Sequence, residues 1–118
     1  MLRSLAAVTV LVPSYDDGLA FFRDVFGFAV LEDTQLSPRK RWIVVAPSGG
    51  TGAALVLAIP SDERQAARAG DQTGGRVGFF LHSADFRADY ERLRKRGLKF
   101  LETPRIEMYG IVAVFLDP

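Results

Sequence analysis

The sequence contains no cysteine and only one histidine, His82. Without cysteine the chain has no disulfide bond, no thiolate ligand for a metal ion and no cysteine nucleophile. A single imidazole cannot supply both histidines of a two-histidine, one-carboxylate metal site. The acidic residues Glu32, Asp33, Glu102 and Glu107 do not follow the spacing of a calcium-binding loop. The commonest protein metal sites are therefore not expected within one chain.

Excess charge and long apolar runs are also missing. The 15 basic and 14 acidic residues leave a net charge of +1, which does not attract nucleic acid or an anionic membrane surface. Basic residues within 92–96 are interpreted as a solvated helix end, where cations complement the helix dipole. No apolar run approaches the length of a membrane span. The apolar start of the chain continues directly into a β-patterned segment without a clear cleavage site. We therefore expect a cytoplasmic protein with no nucleic-acid or membrane partner.

An internal repeat is the main positive feature of these 118 residues. A β-patterned segment at 8–12 precedes a helical pattern that ends at Gly27, and a second strand pattern follows that glycine. The same order returns with a β-patterned segment at 77–82 and a helical pattern that ends at Gly97. The length suits one domain, and the hydrophobic fraction of 48% is enough for one core. The repeat predicts two similar strand–helix–strand units within that domain.

Each copy is predicted to continue with three more strands. These are expected at 28–34, 41–46 and 53–59 in the first copy, and at 99–102, 105–108 and 111–116 in the second. The polar segment 61–75 between the copies is interpreted as a mobile linker, with a gate over a ligand site as the alternative. Each copy therefore has the pattern βαβββ.

The order and spacing of several short motifs resemble the vicinal oxygen chelate superfamily, which includes glyoxalase I, bleomycin-resistance proteins and extradiol dioxygenases. The motifs are VTVLV at 8–12, YDDGLAFF at 15–22, VFGF at 25–28, YERL at 90–93, Gly97 and VAVFLDP at 112–118. The resemblance implies an α+β fold of two tandem βαβββ modules that form a curved mixed sheet around a cleft, with the helices on the outer face. A single domain would cover residues 1–118, with module one at about 5–60, a linker at 61–75 and module two at 76–118.

Enzymes of this superfamily bind a divalent metal with one ligand from each of four strands, usually histidine, glutamine or glutamate. The resemblance places three of those positions at Ala7, Leu57 and Arg76. Methyl and isobutyl groups donate no electron pair, and a guanidinium stays cationic and repels a metal ion. We therefore predict no metal ligands and no cofactor, with a divalent metal only under an enzymatic alternative.

The candidate ligand-binding residues follow from the resemblance and from side-chain chemistry. They are Arg76, Phe80, Leu11, Leu55, Leu57, Trp42 and Tyr109, with His82 as a weak catalytic candidate. Arg76 is either a polar anchor for an anionic group or one half of a salt bridge. Trp42 is either a core anchor or an aromatic wall, and Tyr109 either packs or reaches the pocket mouth. His82 is either a hydrogen-bonded residue at a strand end or a general base.

Three function classes remain open from the sequence. The first is a homodimer that binds a small molecule, anionic or antibiotic-like, in the cleft between the modules without the usual metal. The second is a metal-dependent lyase or dioxygenase of the same superfamily. The third is a protein-interaction or regulatory subunit with a vestigial cleft. The missing ligands at Ala7 and Leu57 favour the first class over catalysis.

Overall fold

The computed structural model describes residues 1–107 and 110–115. It divides into two compact units, Met1–Arg76 and a second unit that begins at Val77. The boundary lies one residue from the predicted start of module two.

A four-stranded mixed sheet forms the first unit. Its strands are β1 (Ala7–Leu11), β2 (Ala29–Ser37), β3 (Lys40–Ala46) and β4 (Ala54–Ala58), in the spatial order β1-β4-β3-β2. Strands β1 and β4 are parallel, whereas the β3–β4 and β2–β3 pairs are antiparallel. Three short extended segments after the first helix were predicted, and all three form. The α+β class is therefore confirmed, with a mixed sheet and few helices.

Helix α1 (Tyr15–Leu19) continues as a π-helical segment, Ala20–Val25. It begins at Ser14, whose Oγ accepts a hydrogen bond from the backbone N–H of Asp17 at 3.0 Å. It ends at Gly27, whose φ of 76° suits a residue without a Cβ. Gly97 follows the helix of the second copy of the repeat and has a φ of 94°. The two glycines of the sequence repeat therefore have the same structural role.

One hydrophobic core lies between this helical segment and one face of the sheet. Its most buried side chains are Phe22, Ile43, Leu57, Val12 and Val45. The helix and sheet approach closely at Gly18, where an added Cβ would lie 3.1 Å from Leu57 Cδ1 and from Val12 Cγ2. The rings of Phe22, Phe26 and Phe28 contact one another within this core. Burial of these apolar side chains is the main stabilising contribution to the first unit.

The connection after β4 belongs to the first unit and is partly fixed. It contains the short helix α2 (Glu63–Ala66), which begins at Asp62. The Gln72 amide donates to the carbonyl of Leu11 at 2.6 Å and accepts from the N–H of the same residue at 3.0 Å. These two bonds occupy the free edge of β1. The Gln72 side chain is therefore bonded to β1, and the mobile linker at 61–75 stays a prediction.

The second unit contains helix α3 (Phe86–Lys95) and a hairpin of β5 (Arg105–Glu107) and β6 (Gly110–Val112). An isolated bridge between Phe100 and Phe115 extends this hairpin. Three strands were predicted after Gly97, but within the described residues they form the two arms of one hairpin. The predicted strand ends at Met108 and Leu116 lie outside the described residues.

The hairpin repeats the β2–β3 register of the first unit with an offset of 70 residues. Ser37 pairs with Lys40 as Glu107 pairs with Gly110, and Val30 pairs with Val45 as Phe100 pairs with Phe115. The sequence repeat is therefore also a structural repeat across this hairpin. No strand among residues 1–107 and 110–115 takes the place of β4 in the second unit.

The strand predicted at 77–82 is absent from the structure. Its counterpart β1 forms a ladder with β4, and the described part of the second unit offers segment 77–82 no such neighbour. Backbone groups without a ladder partner remain bonded to water, so the β pattern alone does not make a strand. Val77 and Phe80 are exposed as a result.

The helices are all short. Within the described ranges, none is long and apolar enough to cross a membrane.

Candidate functional site

The two faces of the four-stranded sheet differ in what covers them. Alternate residues of a strand point to opposite faces, and cross-strand partners share a face. Ile43 and its partner Leu57 point toward helix α1, because Leu57 lies against Gly18. The opposite face, called here the open face, is the one that points away from helix α1.

The open face is largely apolar at its centre and polar toward β2. Its side chains include Thr9 and Leu11 on β1, Val56 on β4, Trp42 and Val44 on β3, and Glu32 and Thr34 on β2. Val44, Val56 and Leu11 are half-buried, whereas Trp42 is 41% exposed. A surface of this kind presents an aromatic plane beside aliphatic side chains, which suits an apolar ligand with few polar groups.

Trp42 is held in place by a neighbouring strand. Its indole N–H donates a hydrogen bond to the carboxylate of Glu32. Glu32 pairs with Val44 and reaches this face because a bulge between Val30 and Glu32 shifts the register of β2. The hydrogen bond satisfies the polar edge of the indole and restricts the rotation of the ring.

A second cluster, called here the Arg41 clasp, lies on the helix side of the same hairpin. The Arg41 guanidinium forms two hydrogen bonds with the Asp33 carboxylate, the Nε bond being 3.1 Å long. These hydrogen bonds raise the pKa of Arg41. The guanidinium also lies 5.5 Å from the ring centroid of Tyr15, whose hydroxyl accepts the Arg41 backbone N–H at 3.2 Å. The clasp therefore fixes β3 against the start of α1.

The structure brings together only part of the predicted lining. Leu11 and Trp42 share the open face. Leu57 is 1% exposed and lies in the core beneath α1, and Leu55 shares its face because the two are two residues apart. The expected position of Leu55 and Leu57 beside Leu11 is therefore corrected. Trp42 is exposed and so is not a core anchor, while its role as an aromatic wall of a ligand site stays a prediction.

The remaining predicted residues lie outside the sheet. Arg76 ends the first unit, where its backbone N–H donates to Thr73 Oγ1 at 2.9 Å, and its guanidinium has no partner among the described residues. Phe80 is 81% exposed in the second unit. His82 is exposed and has no hydrogen-bond partner in the described part of the chain. Tyr109 lies outside the described residues.

The first unit does not fit the divalent metal that the enzymes of the resembled superfamily bind. On β1 and β4 the open face presents Ala7, Thr9, Leu11, Val56 and Ala58, none of which carries a carboxylate or an imidazole. Over residues 1–107 and 110–115, no three His, Asp or Glu side chains cluster as a metal site would require. Glu32 is the only carboxylate on the described open face, and it binds the Trp42 indole.

Sequence reasoning missed Glu32, Thr34 and Val56 as members of this face. Thr34 was missed because its position opposite Trp42 depends on the register of the β2–β3 pair, which the sequence does not show. Glu32 could not be assigned because the bulge beside it has no mark in the sequence. Val56 was missed because every residue of β4 is apolar, so alternation does not reveal which side faces the helix.

Comparison with known proteins identifies the family. The model described as "Glyoxalase/Bleomycin resistance protein/Dioxygenase superfamily" matches residues 4–118. An uncharacterized protein of Shewanella frigidimarina (strain NCIMB 400) is 41% identical over 118 residues, covering 99% of this chain and 87% of that protein.

Two solved structures are similar over nearly the whole chain. UcmS2 has a TM-score of 0.82 and 31% identity, covering 98% of this chain and 90% of its own. TnmS3, an antibiotic binding protein from Streptomyces sp. CB03234, has a TM-score of 0.80 and 28% identity. The match covers 99% of this chain and 88% of the TnmS3 chain. The resemblance stated from the sequence motifs is therefore confirmed. The chain belongs to the Glyoxalase/Bleomycin resistance protein/Dioxygenase superfamily.

Proposed function

We propose that the protein binds an antibiotic-like small molecule on the open face, without a metal ion. The observation that carries this proposal is the exposed Trp42 ring, fixed by Glu32 beside the half-buried Val44. The similarity to TnmS3, which is described as an antibiotic binding protein, supports the same ligand class. The lack of metal ligands on β1 and β4 favours binding over metal-dependent lyase or dioxygenase chemistry.

The chemistry of this face selects a ligand with a planar aromatic part. Such a ring stacks on the Trp42 indole, and an aromatic pair contributes about 0.5–1.5 kcal/mol beyond the area it buries. Val44, Val56 and Leu11 would cover the aliphatic part of the same molecule. Thr9 and Thr34 offer hydroxyl groups at the margin for polar substituents. Arg76 stays the proposed anchor for an anionic substituent.

We also propose an architecture that goes beyond the α+β class, with two tandem modules in each chain and two chains in a homodimer. Two tandem βαβββ modules are supported by the hairpin register that repeats after 70 residues. A homodimer is supported by the exposed edge strand β2, because symmetric pairing covers open sheet edges. The cleft and the cytoplasmic location stay predictions.

The test uses two antibiotics as probes: daunorubicin, which has a planar fused-ring body, and bleomycin, a larger glycopeptide. Trp42 is the only tryptophan, so its fluorescence reports directly on the open face. We expect at least one probe to quench it. By calorimetry, Trp42→Ala should weaken that binding at least about tenfold, and Trp42→Phe should weaken it less, because the smaller ring still stacks.

Leu101→Ala is the matched control, since Leu101 is also an exposed apolar residue, 59% exposed, and lies in the second unit. It should bind as the unchanged protein does. Equal affinity of Trp42→Ala and the unchanged protein, or no binding of either probe, would contradict the proposal.

A further inference from the structure

The second unit contains a groove between helix α3 and the β5–β6 hairpin, called here the α3 groove. Its volume is about 470 Å³. Small-molecule sites are roughly 300–1,000 Å³ in volume. The apolar part of its lining consists of Phe86, Tyr90, Pro104, Ile106 and Ile111.

The two walls of the groove are apolar in different ways. On the helix side, the Phe86 and Tyr90 rings are stacked, with centroids 5.9 Å apart and planes at 8°. Tyr90 also contacts Phe100, with centroids 4.4 Å apart, so this wall is supported from behind. On the hairpin side, Ile106 is 86% exposed and Ile111 is 43% exposed. Covering these isoleucines with an apolar ligand would remove them from water.

The internal repeat explains why the groove is open. With the 70-residue offset, Ile111 takes the place of Arg41, and Phe86 takes the place of Asp16. In the first unit the Arg41 guanidinium fills this place, bonded to Asp33 and 3.8 Å from Asp16. At these two positions the second unit has the apolar side chains of Phe86 and Ile111, which cannot form such an ion pair.

One uncompensated positive charge lies on the groove. Arg87 and Glu91 complete the lining, one turn apart on α3. Arg94 bonds the Glu91 carboxylate at 2.8 Å, and this hydrogen bond lowers the pKa of Glu91. The Arg87 guanidinium has no ion-pair or hydrogen-bond partner among residues 1–107 and 110–115. The groove therefore combines apolar walls with the Arg87 guanidinium, which is unpaired within the described part of the chain.

We propose that the α3 groove binds a small amphiphilic anion, an aromatic carboxylate or sulfonate, at a site separate from the open face. The aromatic body lies between the Phe86–Tyr90 wall and the two isoleucines. The anionic group pairs with Arg87, whose planar fork matches a carboxylate. A neutral molecule of the same shape gains only the apolar contacts.

The full chain is titrated with 2-naphthoate and with its neutral analogue 2-naphthamide, and backbone amides are followed by two-dimensional NMR. We expect naphthoate to shift amides of Phe86, Arg87, Ile106 and Ile111. Arg87→Gln should weaken naphthoate binding about tenfold, because one charge-assisted hydrogen bond is lost. The same substitution should leave naphthamide binding unchanged. Arg92→Gln is the matched control, because Arg92 is paired with Asp89 and does not line the groove.

Ile106→Ser tests the apolar wall at an exposed position, where the fold does not depend on the side chain. It should weaken naphthoate and naphthamide to a similar extent. Equal naphthoate affinity in Arg87→Gln, or amide shifts confined to the first unit, would overturn the proposal. A third contradicting result is an Ile106→Ser variant whose oligomeric state changes while its naphthoate binding does not. The groove would then be an interface between copies of the chain.

Discussion

At the scale of single residues, the Arg41 clasp is the best-defined polar cluster of the first unit. Arg41 is 24% exposed at its side chain and contacts an acid on β2 and an aromatic ring on α1. A planar guanidinium makes both contacts at once, through two parallel hydrogen bonds and through its face. Lysine provides a point charge and neither of these geometries. The clasp therefore depends on arginine and not on positive charge alone.

Arg41→Lys should lower the free energy of unfolding by about 1 kcal/mol, because one of the paired hydrogen bonds and the stacking on Tyr15 are lost. Urea unfolding followed by circular dichroism measures this change. Arg23→Lys is the control, since Arg23 pairs with the adjacent Asp24 on the exposed side of the helical segment. An unchanged midpoint for Arg41→Lys would show that the clasp adds nothing to stability.

Single residues also mark where sequence reasoning fails. Leu57 was placed on the ligand side, yet it lies beneath α1. The strand Ala54–Ala58 is apolar at every position, so both registers bury an equally apolar side chain. A shift of one residue reverses the face of every side chain in a strand. Only the close approach at Gly18 fixes which register is right.

At the scale of elements, the connection after β4 protects a sheet edge. β1 is an edge strand, and the Gln72 amide bonds both polar groups of Leu11, as a neighbouring strand would. An edge strand with free N–H and C=O groups is a template for unwanted pairing. Gln72 covers one such pair with a side chain from 61 residues away in the sequence.

Gln72→Ala should speed hydrogen exchange of the Leu11 amide at least about tenfold, because that N–H loses its acceptor. Exchange followed by NMR measures this rate. Gln65→Ala is the matched control, since its side chain accepts from Ser61 within the same connection and does not contact β1. Equal Leu11 exchange in both variants would mean that the Gln72 bonds do not protect the edge in solution.

The elements of the second unit show what a local pattern can and cannot predict. Gly97 and the apolar stripe predicted α3 correctly, because capping and helical periodicity are local. The strand at 77–82 was not found, because a strand also needs a partner and the pattern carries no information on that partner. Pro104 suggested a break between strands, yet the flanking segments follow one arm of the hairpin.

At the scale of the whole molecule, the repeat was the most reliable signal. It predicted the superfamily from motif order, and the family match over residues 4–118 confirms it. The ligand class was harder to derive, because it depends on which side chains share a face. Trp42 and Glu32 lie ten residues apart in the sequence and meet only through the β2–β3 register and its bulge.

Ligand binding is the property of the whole molecule that we propose: antibiotic-like ligands bind to the open face without a metal. The most direct measurement is calorimetry with daunorubicin on protein stripped by EDTA and on protein loaded with Mn²⁺ and freed of excess ion. We expect the same Kd, within about twofold, for both preparations. Binding that appears only in the Mn²⁺-loaded protein would contradict it.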